Sequence, residues 1–354
     1  MKGVIVHGGT GTRLRPLTYT DVKQLLPLAG RPVSEYALQG LIELGIKEIN
    51  IVLGEVGGDE VKNYYGDGKN WGISITYTYQ GKPMGIAHAI GLTRKFVGDD
   101  DFVVVLGDNY FQNGFSQLLE NSENDKRDAF IALTEVQNPE QFGTAEILGG
   151  RIVKLVEKPK IPKSHFAVTG VYFLKKSIFQ FIDALTPSWR GELEIVEAFQ
   201  KMLDSGLNIG YNVITGWWKD TGTPEEFLNC NMMALEKVTS DVAGNKNNIT
   251  YWRARLEDGV VIDKSSKVLG PCFIGSRTEI INSYIGPYTS IGRNCRIENC
   301  QIENSVIMDK VSINLSSSTV MRESLVGPQA NIESKSRDQK FLKFIVGRDS
   351  RIEV

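Results

Sequence analysis

Cysteine and histidine are scarce in this chain. Its four cysteines, Cys230, Cys272, Cys295 and Cys300, include no Cys-x-x-Cys pair, and only three histidines, His7, His88 and His165, accompany them. That spacing assembles neither a zinc ligand set nor a disulfide framework, so the thiols are read as buried groups in a reducing cytosol. Long apolar runs are absent as well. The opening run Gly3 to Val6 breaks at His7-Gly8-Gly9, too short for a signal peptide or a bilayer span, and no later stretch repairs that. A cytoplasmic protein with no membrane partner is expected. Excess charge is the third absence: 40 Lys and Arg nearly cancel 42 Asp and Glu. There is no basic field to hold a nucleic acid and no acidic excess favouring disorder, which leaves a small-molecule partner.

What is present is enough chain for two domains: 354 residues, 41% of them apolar, exceed one compact core. Up to about Thr239, short β-branched runs alternate with amphipathic patterns, the order of a mostly parallel, helix-covered sheet. The strands expected are Val4 to Val6, Glu48 to Leu53, Ile73 to Tyr79, Phe102 to Leu106, Phe130 to Leu133, Phe166 to Leu174 and Leu207 to Ile214. Val33 to Leu44 and Glu194 to Leu203 carry apolar residues at helical spacing.

After a polar stretch from Ser240 to Asn248, the period changes. Ile262, Val268, Ile274, Ile280, Ile285, Ile291, Ile297, Ile302, Ile307 and Ile313 recur at steps of six and occasionally five. Unrelated isoleucines of a β-sandwich do not stay in phase over ten positions. A hexapeptide repeat does, with one aliphatic side chain inside each flat face of a parallel β-helix. Such coils have an open end and a flat outer face, so a homo-oligomer formed through them is expected. In this reading the repeats serve assembly, and truncation after Thr239 weakens assembly more than chemistry. The boundaries expected are residues 1–239 for the first domain, 240–250 for a linker and 251–354 for the repeats.

The chemistry-bearing residues begin directly after the first strand, in Gly8-Gly9-Thr10-Gly11-Thr12-Arg13-Leu14-Arg15-Pro16-Leu17-Thr18. Glycines at a strand end let backbone N–H groups approach a phosphate chain, and Arg13 adds a cationic fork. The spacing matches neither the dinucleotide fingerprint nor the P-loop. Alone it reads equally as a tight turn, but Lys23-Gln24-Leu25-Leu26-Pro27 brings a second cation to the same strand end.

These strings resemble the signature of sugar-1-phosphate nucleotidyltransferases, and above all of glucose-1-phosphate thymidylyltransferases. Further blocks follow in the family's order: Gln80 with Gly85-Ile86-Ala87-His88-Ala89, Leu106-Gly107-Asp108-Asn109, Phe142-Gly143, Glu157-Lys158-Pro159, Val168-Thr169-Gly170, Arg190-Gly191-Glu192-Leu193-Glu194 and Trp218-Lys219-Asp220-Thr221-Gly222. With the appended repeats, the chain is similar to the long form of that family. His7 departs from it, since Ala or Ser more often precedes the two glycines there. The fold implied is α/β, a Rossmann-like, mostly parallel nucleotidyltransferase domain followed by a left-handed parallel β-helix.

The resemblance implies transfer of a nucleotidyl group from dTTP to glucose 1-phosphate, with Mg²⁺ and release of pyrophosphate. Such in-line attack needs charge neutralisation and alignment more than a protein nucleophile. Arg13 and Lys23 hold the triphosphate, with Gly11 and Thr12 beside it; Gly8, Gly9, Gln80 and Gly85 read the base, against which His7 is expected to lie. Asp108 and Asp220 ligate the metal. Lys158 meets the sugar phosphate, while Gly143, Glu157, Val168 and Glu192 line the sugar pocket. Taken singly, each aspartate reads as a turn residue and Glu-Lys-Pro as a solvated turn. Trp217 and Trp218 are read first as support and only second as a pocket wall; Tyr64, Tyr65 and Trp71 are read as packing.

Three other readings remain. UTP differs from dTTP by one base methyl and one sugar hydroxyl, too little for strong discrimination. An acyltransferase site in the repeats lacks a histidine base there. A non-catalytic sugar-nucleotide-binding subunit is disfavoured because Arg13, Lys23, Asp108, Lys158 and Asp220 are all present.

Overall fold

The computed structural model describes residues 1–9, 11–54, 56–115, 127–238, 243–246, 249–334 and 341–354. The chain divides into two compact units, Met1–Thr10 with Ser34–Trp218, and Gly11–Val33 with Lys219–Val354. Among the described residues no helix is long and apolar enough to cross a membrane. All four cysteines are buried and unbridged.

The first unit is built on four parallel strands: β1 (Lys2–His7), β2 (Glu48–Leu53), β3 (Ser74–Tyr79) and β4 (Phe102–Leu106), in spatial order β3-β2-β1-β4. Except in the partly exposed edge strand β3, their centres, among them Val4, Ile5, Ile51, Val52 and Val104, are fully buried. Continuous apolar runs of this kind mark strands covered on both faces. Beyond β4 the sheet continues through β5 (Ala129–Glu135), β6 (Gly143–Leu148), β7 (Arg151–Glu157), β8 (Phe166–Leu174) and β9 (Ile209–Val213). β8 is antiparallel to β4 and β5, β9 is parallel to β5, and the β6–β7 hairpin forms the edge. The α/β, mostly parallel architecture expected from the sequence is present, with its antiparallel strands confined to this added flank.

Helix α1 (Val33–Glu43) brings Leu41 against Gly3 of β1, and α2 (Gly58–Tyr65) follows β2. Three further helices, α3 (Ile86–Leu92), α4 (Ile178–Asp183) and α5 (Ile195–Asp204), share one core with the sheet. α5 presents Ile195, Phe199 and Met202 to it, the spacing of one helical face. The hairpin β6–β7 was not expected. Its signal is Gly149-Gly150, both at positive φ between the two strands, a pair suited to a tight hairpin turn.

In the second unit, α6 (Pro224–Val238) opens on a reciprocal cap: Glu226 N–H donates to Thr223 Oγ1 at 3.3 Å, and Thr223 N–H donates to Glu226 Oε2 at 3.0 Å. From Ile249 onward the chain forms parallel ladders. Strands such as Tyr284–Ile285, Thr289–Ile291 and Arg296–Glu298 join three ladders in rotation, and the next three strands repeat the order. This is the arrangement expected of a β-helix. The repeat isoleucines stack in register, Ile274 on Ile291 on Ile307 and Ile280 on Ile297 on Ile313, all but wholly buried. Within the expected linker 240–250, residues 243–246 pair antiparallel with the strand Ile249–Leu256, while 240–242 and 247–248 lie outside the described residues.

Ile297, fully buried between Ile280 and Ile313, tests that stack. Ile297→Ala should cost about 2–5 kcal/mol, measured as a fall in the urea midpoint; an unchanged midpoint would show that the inward ladder does not hold the coils together.

Candidate active site

β1 and β4 run side by side with Val6 opposite Leu106, and the Gly107 N–H donates to the Val6 carbonyl at 2.9 Å. Their parallel direction therefore delivers Gly8-Gly9 and Gly107-Asp108 to the same sheet edge. His7 lies under this edge rather than open to it. A Cβ at Gly107 would sit 2.6 Å from His7 Cδ2, and the imidazole centroid is 6.2 Å from that of Tyr65. Burial pushes the imidazole down to about 3, against the pull of Asp108, so it is neutral at physiological pH. The sequence reading set His7 against the nucleotide base; its side chain is a buried support of the Gly107 turn.

Asp108 is held from its neighbour. Asn109 Nδ2 donates to Asp108 Oδ1 at 2.8 Å, and Asn109 Oδ1 accepts from Trp218 Nε1 at 2.8 Å. Gly170 leaves room for that amide, since a Cβ there would lie 2.6 Å from Asn109 Oδ1. Trp218 is thus the support that its first reading made it. Gln80 is buried, donates from Nε2 to the Gly85 carbonyl at 3.1 Å, and lies beside Gly8, where a Cβ would meet its Oε1 at 3.2 Å. Gly8, Gln80 and Gly85 are therefore one group. Gly85 in turn abuts the Leu193 backbone, and Leu193 N–H donates to the Met84 carbonyl at 2.7 Å.

That last contact anchors the Arg190–Glu194 segment. Arg190 meets Glu157 at 3.4 Å, Glu192 at 3.1 Å and Glu194 at 3.4 Å, so one guanidinium faces three carboxylates. Glu157 ends β7 opposite Gly143. Lys158 follows at positive φ, its N–H donating to the Phe142 carbonyl at 3.1 Å. Burial, then the charge of Glu194, pushes the Glu157 carboxyl up to about 7, although Lys158 and Arg190 pull it down. The Tyr172 phenol is raised by burial and then by the charges of Glu157 and Asp108. Val168 lies buried in β8 opposite Leu133. Arg190, Glu194, Asn109 and Tyr172 had no role in the sequence reading. Three of them stand inside the quoted blocks, but Arg190 and Asn109 each take a partner from a distant strand, Glu157 and Trp218 respectively.

The second unit carries the rest. Between Gly11 and Leu25 the chain makes three short 3₁₀ turns, Thr12–Leu14, Leu17–Tyr19 and Lys23–Leu25. The Gly11 carbonyl accepts from Leu14 N–H at 2.9 Å and Thr18 Oγ1 at 2.6 Å, and Leu14 and Leu17 are fully buried. Arg13 projects outward, 3.7 Å from Asp220 Oδ2, whereas Lys23 is buried. Lys219 pairs with Glu226 at 3.0 Å. Cys230 lies within the reach of these charges: burial, then Asp220 and Glu226, raise its thiol, while Lys23 and Lys219 lower it.

Among the described residues no group of three or more His, Cys, Asp or Glu side chains converges as a metal cage. The two aspartates expected as ligands suit a hard divalent ion that takes one or two carboxylates and completes its shell with phosphate oxygens and water.

Comparison with known proteins decides the family. The nucleotidyl transferase family profile matches residues 2–237, and the GMPPB C-terminal domain profile matches residues 256–353. The chain belongs to the nucleotidyl transferase family. This nucleotidyltransferase is 44% identical to the low-salt glycan biosynthesis nucleotidyltransferase Agl11 of Haloferax volcanii, over 100% of both chains. It is 38% identical to a glucose-1-phosphate thymidylyltransferase of Streptomyces antibioticus, over 100% of this chain and 99% of that one. A crystal structure assigned to a glucose-1-phosphate thymidylyltransferase of Bacillus anthracis, in complex with sucrose, matches with a TM-score of 0.63 and 40% identity, covering 70% of this chain and 98% of that one. The chain is accordingly an enzyme of the nucleotidyltransferase class, in a family that generally depends on a divalent metal.

The Glu157 carboxyl gives this nucleotidyltransferase a pH signature. Its folded value, about 7, exceeds the ordinary carboxylate value of 4.5. Between those pH values the unfolded chain has released a proton that the folded chain keeps, so stability falls as pH rises and levels off above the folded value. Glu157→Gln should remove that part of the decline, seen as urea midpoints that fall less between pH 5 and pH 8 than in the wild type; parallel declines would place the Glu157 titration elsewhere.

Proposed function

We propose that this enzyme transfers a thymidylyl group from dTTP to glucose 1-phosphate, releasing pyrophosphate. The observation that carries the reading is Asp108, delivered by β4 to the sheet edge and fixed through Asn109 to Trp218. A carboxylate at the carboxyl end of a parallel strand stands where open α/β sheets bind ligands. The sequence blocks from Gly8 to Gly222 and the relatives named as glucose-1-phosphate thymidylyltransferases support the choice of substrates.

In this reading a phosphate oxygen of the sugar phosphate attacks the α-phosphorus in line with the departing pyrophosphate. Arg13 and Lys23 bind the triphosphate and stabilise the charge that grows on the leaving group. Gly11 and Thr12 offer backbone N–H groups beside them. Lys158 orients the sugar phosphate, and Glu157, Glu192, Gly143 and Val168 shape the sugar pocket, with Arg190 holding the two carboxylates. Gln80, Gly8, Gly9 and Gly85 receive the base, whose imide edge an amide side chain can pair. Asp108 and Asp220 hold Mg²⁺, which when bound neutralises phosphate charge and orients the triphosphate. The domains are 1–239 and 251–354, the second a left-handed parallel β-helix through which copies of this cytoplasmic chain associate.

The test incubates the protein with Mg²⁺, glucose 1-phosphate and each of dTTP, UTP, ATP, CTP and GTP separately, following pyrophosphate. Turnover with dTTP is expected, and Asp108→Asn should lower it at least about a hundredfold with an unchanged circular dichroism spectrum. Turnover with UTP alone would reassign the base, and none with any sugar phosphate would make the chain a binding subunit.

A further inference from the structure

The glycine-rich segment that carries Arg13 and Lys23 belongs to the same compact unit as the C-terminal coils, and it is fastened to them at three places. The Asp21 carboxylate, 12% exposed, pairs with the Arg348 guanidinium, two residues past the coil strand Ile345–Val346. Next to Arg348, Gly347 lies against the Pro16 backbone: a Cβ there would stand 3.1 Å from the Pro16 carbonyl oxygen. At the far end, Gly30 faces the ring of Phe273, a buried residue of the strand Lys267–Ile274, and a Cβ at Gly30 would lie 2.3 Å from Phe273 Cζ.

The third fastening is a buried amide. Asn231 of α6 is fully buried, and its Oδ1 accepts from Ala29 N–H at 3.0 Å and from Ser290 Oγ at 2.7 Å. Its Nδ2 donates to the Tyr288 carbonyl at 3.2 Å. Tyr288 then donates its hydroxyl proton to Glu236 at 2.9 Å, and Glu236 also pairs with Arg253. One side chain thus ties the segment, α6 and two coil residues together, and removing it would strand buried partners. Lys23 sits in sequence between the Asp21 and Ala29 fastenings.

We propose that the coils position the phosphate-binding segment, with Asp21, Arg348 and Asn231 as positioning residues for nucleoside triphosphate binding. The proposal rests on the reading of Arg13 and Lys23 as triphosphate ligands. It revises the expectation that truncation after Thr239 weakens assembly more than chemistry, because that truncation removes Phe273, Tyr288, Ser290 and Arg348 together. A segment whose cations shift by even an ångström loses rate steeply, because alignment supplies much of the catalysis of phosphoryl transfer.

The experiment compares Arg348→Ala, Arg348→Lys and Asp21→Asn with Arg322→Ala, which removes an exposed pair to Glu303 on the same coils. Arg348→Ala and Asp21→Asn should raise the KM for the nucleoside triphosphate about tenfold, with the KM for the sugar phosphate and the melting temperature unchanged. Arg348→Lys should recover most of the loss, and Arg322→Ala should match the wild type. Hydrogen exchange provides the readout that needs no turnover: amides of residues 11–33 should exchange faster in Arg348→Ala, while those of β1 and β4 should not change. Kinetics indistinguishable from Arg322→Ala, or unchanged exchange in 11–33, would overturn the proposal. A wild-type protein without turnover would instead overturn the activity, and the exchange comparison would still decide whether the coils hold the segment.

Discussion

The parallel pairing of β1 with β4 is the constraint on which the candidate site of the first unit depends. Parallel neighbours end at one edge, so the turns that follow them lie together whatever the rest of the chain does. Both turns begin with glycine, and at Gly107 the reason is visible in the space already taken by the His7 ring. A larger residue there would displace either the imidazole or the backbone that carries Asp108. The neutral state of His7 follows from the same burial; a charged ring under that edge would need a buried counter-ion. Asp108 then receives its orientation from Asn109 and Trp218, which leaves the position of this carboxylate little dependent on the surface.

The charges around Arg190 obey a different logic. Three carboxylates around one guanidinium and one neighbouring lysine carry an excess of negative charge, which a partly buried site tolerates by holding a proton. Glu157 is the group that does so: burial and the charge of Glu194 push its carboxyl up to about 7, so it keeps a proton over a range in which an ordinary carboxylate has lost it. A protonated carboxyl both donates and accepts hydrogen bonds, whereas an ionised one only accepts. Arg190 is therefore as much a part of this cluster as the glutamates, because without it two or three like charges would repel one another across the end of β7.

The parts of the fold that could be read from sequence are those where one periodicity dominates. Glu48 to Leu53, Phe102 to Leu106 and Phe166 to Leu174 are strands with the expected limits, because apolar, largely β-branched and aromatic residues dominate each of them. The repeat isoleucines are legible for the same reason: one residue in six must fill the coil interior. The hairpin β6–β7 escaped because its strands lie at a sheet edge, where Arg151, Val153 and Lys154 of β7 face solvent and dilute the pattern. Within the site, glycines and aspartates stood out by their local context. Arg190, Asn109 and Asn231 did not, because what each does depends on partners brought close only by the tertiary fold. The burial of His7 was equally hidden, since its place under Gly107 is a fact about two strands and not about one.

The phosphate-binding segment shows why such partners are needed. Its local structure consists of 3₁₀ turns of three residues each, and turns so short contribute few hydrogen bonds and little cooperativity of their own. A loop with that architecture cannot by itself hold two cations at a fixed separation against the repulsion between them. Rigidity must come from elements with extended ladders, and in this unit those are α6 and the coils. Buried Leu14 and Leu17 fix one face of the segment, but apolar contact is non-directional and leaves sliding motions open. Directional bonds close them: the amide of Asn231 at Ala29 and the carboxylate of Asp21 at Arg348 act from opposite sides of Lys23. An aliphatic ladder far along the chain thereby becomes part of what keeps the glycine-rich segment in one conformation.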